Sequence, residues 1–119
     1  MTVAEDIFAA IEKGDVDGVR ATYAPGAVIW HNFDEVEQSV EDNLRVLGWM
    51  AATFSARRYE VVFRKEWEDG FVQQHVLHLT KKDGATVALP ACIVAKCADG
   101  KITRIDEYLD SAQAARLAG

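Results

Sequence analysis

The sequence has no apolar run near the roughly 20 residues that a bilayer-spanning helix requires, so no transmembrane helix is predicted. Its first fifteen residues alternate apolar and acidic side chains, without the basic start and continuous apolar stretch of a signal peptide, and a cytoplasmic location is expected. Cysteine is scarce. Cys92 and Cys97, if they share a strand, stand about 16 Å apart on opposite faces, too far for a disulfide, and are expected to be buried, inert thiols. Basic charge is also short: 13 Lys and Arg stand against 19 Asp and Glu, a net charge of −6. Such a surface repels phosphate backbones and anionic lipid, so neither nucleic acid nor membrane is expected as a partner. There is no glycine-rich phosphate loop and no Gly-x-Ser-x-Gly elbow. His75 and His78 invite a metal reading, but a spacing of three on a strand sends them to opposite faces, and no Cys or His cluster has ligand spacing. Neither metal nor cofactor is expected.

What is present is an ordinary globular composition, 50% hydrophobic and 27% charged over 119 residues. This predicts one domain, residues 1–119, with its own core. Thr2-x-x-Glu5 has the spacing of a capping box, and Val3, Ile7, Phe8 and Ile11 follow on one helical stripe. Gly14 breaks that helix. Asp15 caps a shorter one carrying Val16, Val19 and Tyr23, which Pro25-Gly26 ends. A short strand, 27–31, follows. Asp34 then reads as the cap of a long helix over 35–54, with Val36, Val40, Leu44, Leu47, Ala51 and Phe54 as its apolar stripe.

From Arg57 the period changes to two. The pairs Asp69-Gly70, Asp83-Gly84 and Asp99-Gly100 are antiparallel turn signals and delimit strands near 57–68, 71–82, 85–98 and 101–109. Ser111 to Leu117 is read as a last helical turn. Helices followed by a strand meander give an α+β class, three helices packed on one face of a coiled sheet. The strand at 85–98 is apolar on both faces: Val87, Leu89, Ile93 and Ala95 on one, Ala88, Cys92 and Val94 on the other. Helices cover only one face, so a second copy of the chain is expected on the other, using sheet residues rather than the helix 35–54. Pro90 predicts a bulge in this strand.

This order, with Trp30-His31-Asn32 closing the first strand and Ile105-Asp106-Glu107-Tyr108-Leu109-Asp110 in the last, resembles the nuclear-transport-factor-2-like superfamily. The likeness is greatest to its SnoaL-like, limonene-epoxide-hydrolase-like and ketosteroid-isomerase-like branch. The resemblance implies a cone, a curled sheet wrapped around the helices, with a deep apolar pocket on the concave face and a homodimer through the convex one. It implies a pocket acid at Glu107 and water- or substrate-holding side chains at Trp30 and Asn32. The Arg and Asp of the epoxide-hydrolase branch fall near Gln74 and Val76, which carry neither charge.

Parity supplies the other candidates. Ile105, Glu107 and Leu109 share a face, and a carboxyl between apolar neighbours is expected to have a raised pKa and to exchange protons near neutral pH. His75 shares parity with Phe71, Leu77 and Leu79 and is a second candidate, with a hydrogen-bonded core histidine as the alternative. His31 is a third, a base oriented by a carboxylate or a half-exposed residue at a strand end. Tyr23, Tyr59, Gln74, Leu89 and Leu109 complete the expected substrate-binding set. Two functions follow. One is a cofactor-independent enzyme, isomerase-, cyclase- or hydrolase-like, acting on a small apolar oxygenated molecule by carboxylate acid/base chemistry. The other is a non-catalytic small-molecule binder of the same fold.

Overall fold

The computed structural model describes residues 2–115. Helix α1 (Val3–Lys13) starts at Thr2, whose side chain accepts from the Glu5 N–H while Glu5 reaches back to the Thr2 backbone. This capping box satisfies two orphan donors. Gly14, at φ 71°, closes the helix in the left-handed region. Asp15 caps α2 (Val16–Arg20) through the Gly18 N–H. Strand β1 (Tyr23–His31), the short β2 (Glu37–Ser39) and α3 (Val40–Thr53) follow. Four long strands come next: β3 (Phe54–Trp67), β4 (Gly70–Lys81), β5 (Thr86–Ala98) and β6 (Lys101–Leu109). A turn of helix, α4 (Ser111–Ala114), ends the described chain; the last residues of the expected tail, 116 and 117, lie outside the described residues.

The six strands form one sheet in the order β2-β1-β6-β5-β4-β3. Every neighbouring pair is antiparallel except β1 and β6, which run parallel with Ile29 opposite Ile105 and His31 opposite Glu107. The sheet curls around α1, α2 and α3, and its concave face carries the core: Ile29, Phe71, Leu79, Ile93, Ala95 and Ile102 pack against Ile7, Phe8 and Val19 of the helices. Alternation along each strand places these side chains inward and their neighbours outward. Phe71, Gln73, His75, Leu77 and Leu79 of β4 are all buried, whereas Gln74 between them is exposed. The expected α+β cone is present.

Several expectations need correction. Asp34 does not cap the third helix; its side chain accepts from the Val36 N–H in a local turn. The cap is Ser39, which accepts from the Asp42 N–H while Asp42 accepts from the Ser39 N–H. Residues 37–39 instead pair with β1, so Val36 stands in the connecting turn and Phe54 opens β3. The helical spacing of Val36 to Phe54 thus overran the true helix at both ends. Tyr23 starts β1 rather than ending α2, and Pro25-Gly26 lies within that strand, where the β1–β6 register shifts between Tyr23 and Val28. Pro90 causes no bulge: the β4–β5 register runs through it without a shift, Val76 facing Pro90. The β6 ladder begins only at Ala91, so β5 is paired on one side at Pro90 and tolerates the missing N–H. The β5–β6 register shifts instead between Lys96 and Cys97, where β6 carries the extra residue, Thr103. Cys92 and Cys97 are half-buried and unbridged.

Candidate active site

The parallel pairing of β1 with β6 brings together two residues 76 positions apart in sequence. His31 and Glu107 are register partners at the inner end of both strands, and both side chains turn to the concave face. His31 Nε2 stands 2.9 Å from Glu107 Oε1, with both side chains largely shielded from solvent. Asn32 locks the geometry. Its N–H donates to the Glu107 carbonyl, and its Oδ1 accepts from the Leu109 N–H at 2.9 Å. The two strand ends cannot slide past each other without losing these bonds.

The pair opens onto a cavity of about 220 Å3 between the helices and the sheet. Phe8, Ile11, Leu47 and Met50 form its helical wall; Leu77, Leu89, Ile93 and Leu109 form its sheet wall. Polar groups in this lining are few. Besides the His31–Glu107 pair they are Tyr23, Tyr59, Asn43 and Gln38. Tyr23 Oη donates to Asn43 Oδ1 at 2.8 Å. The Tyr59 ring stands edge-on to Phe8 and to His75, with centroids 4.8 Å from each.

Burial and charge set the protonation states. Burial alone would lower the pKa of His31, but the hydrogen bond and charge of Glu107, helped by Asp34, outweigh it and hold the imidazole above its ordinary value. Both phenols are pushed up, Tyr23 by burial and then by Glu107, Tyr59 by burial and then by Glu107, Tyr23 and Glu12. They remain protonated donors at neutral pH. Burial lowers His75, with the Glu107 charge acting weakly against it.

The sequence candidates divide by face. Glu107, His31, Tyr23, Tyr59, Leu89 and Leu109 line the cavity. His75 faces inward and is almost fully buried, but it sits behind Tyr59 and Phe8, outside the lining. Its Nδ1 accepts from Gln73 Nε2 at 2.9 Å, and Gln73 Oε1 accepts from Arg64. This is the core-histidine alternative in geometric form. His78 is on the other face, 2.8 Å from Glu60. Trp30 and Gln74 are convex-face residues, the first edge-on to Tyr108 with centroids 5.4 Å apart, the second opposite Cys92. Neither touches the cavity, because neighbours on a strand cannot both face inward: Trp30 precedes His31 and Gln74 precedes His75. Asn32 is exposed and positions backbone rather than ligand. Glu107 is not an isolated carboxyl among apolar neighbours, since β1 supplies it with a partner. Asn43, Gln38 and Phe33 also line the cavity and were not foreseen. Only Asn43 carried a signal, four and seven residues before Leu47 and Met50 on the inner stripe of α3.

Residues 4–105 match the family described as the SnoaL-like domain. The chain belongs to the SnoaL-like family. Solved structures agree on this fold. AclR from Streptomyces galilaeus, described as a candidate hydroxylase, superposes at a TM-score of 0.82 and 18% identity, over 98% of this chain and 92% of its own. IdmH from Streptomyces antibioticus, described as a candidate polyketide cyclase, gives 0.81 at 19% identity, covering 98% and 96%. A protein from Catenulispora acidiphila with a ketosteroid-isomerase-like fold gives 0.76 at 12% identity, covering 91% and 86%. At these identities the likeness is one of fold. No curated protein matches this SnoaL-like sequence.

Proposed function

We propose that the protein is a SnoaL-like enzyme, of isomerase or cyclase type, that moves a proton on a small apolar ketone or related oxygenated molecule held in the cavity. The observation that carries this reading is the His31–Glu107 pair, 2.9 Å apart and facing an otherwise largely apolar enclosure. A carboxylate that accepts the Nε2–H fixes the imidazole tautomer, leaving Nδ1 with its lone pair free to take a proton. His31 Nδ1 is buried and has no partner among the described residues. The pair therefore acts as a unit that can accept a proton beside a carbonyl and return it elsewhere on the ligand. The Tyr59 phenol, kept protonated by burial, is the donor offered to a developing enolate oxygen, the Tyr23 hydroxyl being engaged by Asn43. Epoxide hydrolysis is less well supported. The positions matching its Arg and Asp, Gln74 and Val76, lie on the convex parity of β4 and carry no charge.

The test is deuterium exchange in D2O, followed by NMR, across a panel of apolar ketones. Wild-type protein is expected to exchange the α-hydrogens of at least one member. Glu107→Gln and His31→Gln should each slow that exchange by about a hundredfold or more, the usual size of such proton-transfer effects. Ketones that bind without exchange would leave only the non-catalytic binder, and exchange that survives in both variants would take the chemistry away from the His31–Glu107 pair.

A further inference from the structure

The helix α3 has two working faces. Asn43, Leu47 and Met50 point into the cavity, while Asp42, Arg45, Val46 and Trp49 border a second, outer depression on the other side. That depression has a volume of about 460 Å3 and is completed by Val36 and Gln38. Two residues, Gln38 and Val46, belong to both spaces. The outer groove therefore adjoins the cavity at the β2–α3 corner, with Gln38 and Val46 standing between the two.

Three observations say what lies there. First, the cavity, at about 220 Å3, is smaller than the range of about 300–1,000 Å3 that encloses a drug-sized ligand. A molecule larger than one or two rings must project from it. Second, the groove presents apolar surface to solvent: Val36, Val46 and Trp49 are 51%, 44% and 46% exposed. The Trp49 ring is held in place edge-on against Phe54, with centroids 5.9 Å apart. Third, Gln38 Oε1, at the junction, is buried without a hydrogen-bond partner among the described residues. A buried acceptor of this kind is costly unless something donates to it. The Arg45 guanidinium is engaged by Asp42, so the groove offers no free cation at that point.

We propose that the groove is an outer subsite and that the ligand is an elongated, mostly apolar molecule. Its oxygenated end meets His31 and Glu107, a hydroxyl or N–H part-way along donates to Gln38 Oε1, and its remaining apolar portion lies over Val36 and Trp49. The inference rests on the reading of the cavity as the ligand site and adds the shape and polarity of what enters it.

A series of 4-alkylphenols, from propyl to octyl, tests it by titration calorimetry. The phenol is the head that fits beside the His31–Glu107 pair, and the chain is the part that must leave. Affinity is expected to rise along the whole series, by up to about fourfold for each methylene that becomes buried. Trp49→Ala and Val36→Asn should each weaken the octyl member by about tenfold while changing the propyl member less than twofold. The propyl member thus reports that the fold and the inner cavity are intact. The proposal is overturned if the gain stops after the first few methylenes, or if both variants weaken short and long members alike. If no member binds, the cavity is not the ligand site and the proposed function fails with it. Binding of propylphenol without a gain for octylphenol removes the outer subsite alone.

Discussion

His31 and His75 both sit inside the cone, yet their environments push their pKa values in opposite directions. The unfolded chain titrates a histidine near pH 6.5. His31 is raised above that value because the bond and charge of Glu107, with help from Asp34, outweigh its burial. Its contribution to stability is therefore fully present below about pH 6.5 and is lost as pH rises through the folded-state value. His75 is lowered, mainly by burial. Its contribution is present above about pH 6.5 and is lost as pH falls through its folded-state value. Glu107→Gln keeps the size of the side chain and an acceptor for Nε2 but deletes the charge. Burial then dominates at His31, and the loss of stability above pH 6.5 should shrink or vanish, while the acid-side loss from His75 remains. Urea unfolding of wild type and variant between pH 5 and 9 measures this. A stability difference between the two proteins that stays constant across that range would show that Glu107 does not set the charge state of His31.

At the level of elements, the long strands were legible because two signals agreed. Side-chain alternation marked their bodies, and the Asp-Gly pairs marked their ends. The observed strands begin and end within three residues of the expected ones. The three Asp-Gly pairs nevertheless work differently. Asp99 and Gly100 both have positive φ, 52° and 76°, as a tight hairpin of type I′ demands. Gly84, at φ 93°, has open space where a Cβ would go. Gly70 is needed for a different reason: a Cβ there would lie 2.2 Å from the Ala95 carbonyl oxygen of the adjoining strand. Gly70→Ala should therefore force β4 from β5 and cost about 1–3 kcal/mol. Gly84→Ala should cost only the left-handed penalty of about 1–2 kcal/mol. Chemical denaturation gives the order, and a Gly84 variant that is the more damaged would refute this account. The site was less legible than the strands. Parity named Glu107, Tyr59, Leu89 and Leu109, but the partner of Glu107 depends on a parallel contact between the first and last strands, which no local pattern encodes. β2 was invisible because Glu37-Gln38-Ser39 is polar and only three residues long. Missing it also hid Gln38 and moved the start of α3.

On the scale of the whole molecule, the helices occupy the concave face and the described structure leaves the convex face open. Its side chains are not those of a solvated surface. One row crosses four strands as Phe63, Gln74, Cys92 and Tyr108, with Trp30 of β1 edge-on to Tyr108. The row beside it runs Val72, Val94, Asp106 and Trp30. Phe63, Val94 and Tyr108 are 52%, 37% and 47% exposed, although such residues on a sheet face normally mark a covered surface. Arg104, paired with Asp106 at 3.0 Å and with Glu37 at 2.8 Å, gives the patch a polar border on its β1 side. We propose that a second copy of the chain covers this face, packed sheet to sheet about a two-fold axis, since a self-complementary patch is the commonest way to close an assembly. Sedimentation at micromolar concentration should then give a species of about twice the 13.2 kDa chain mass. Val94→Lys is the informative variant. In a single chain the new ammonium lies opposite Asp106, its register partner on β6, and should be tolerated. Buried against its own copy, the same charge becomes a desolvated cation near a two-fold axis, and the assembly should fall to the mass of one chain with its circular dichroism unchanged. Wild-type protein sedimenting near 13.2 kDa would reject the proposal outright. A Val94→Lys variant that still pairs would move the interface off this face.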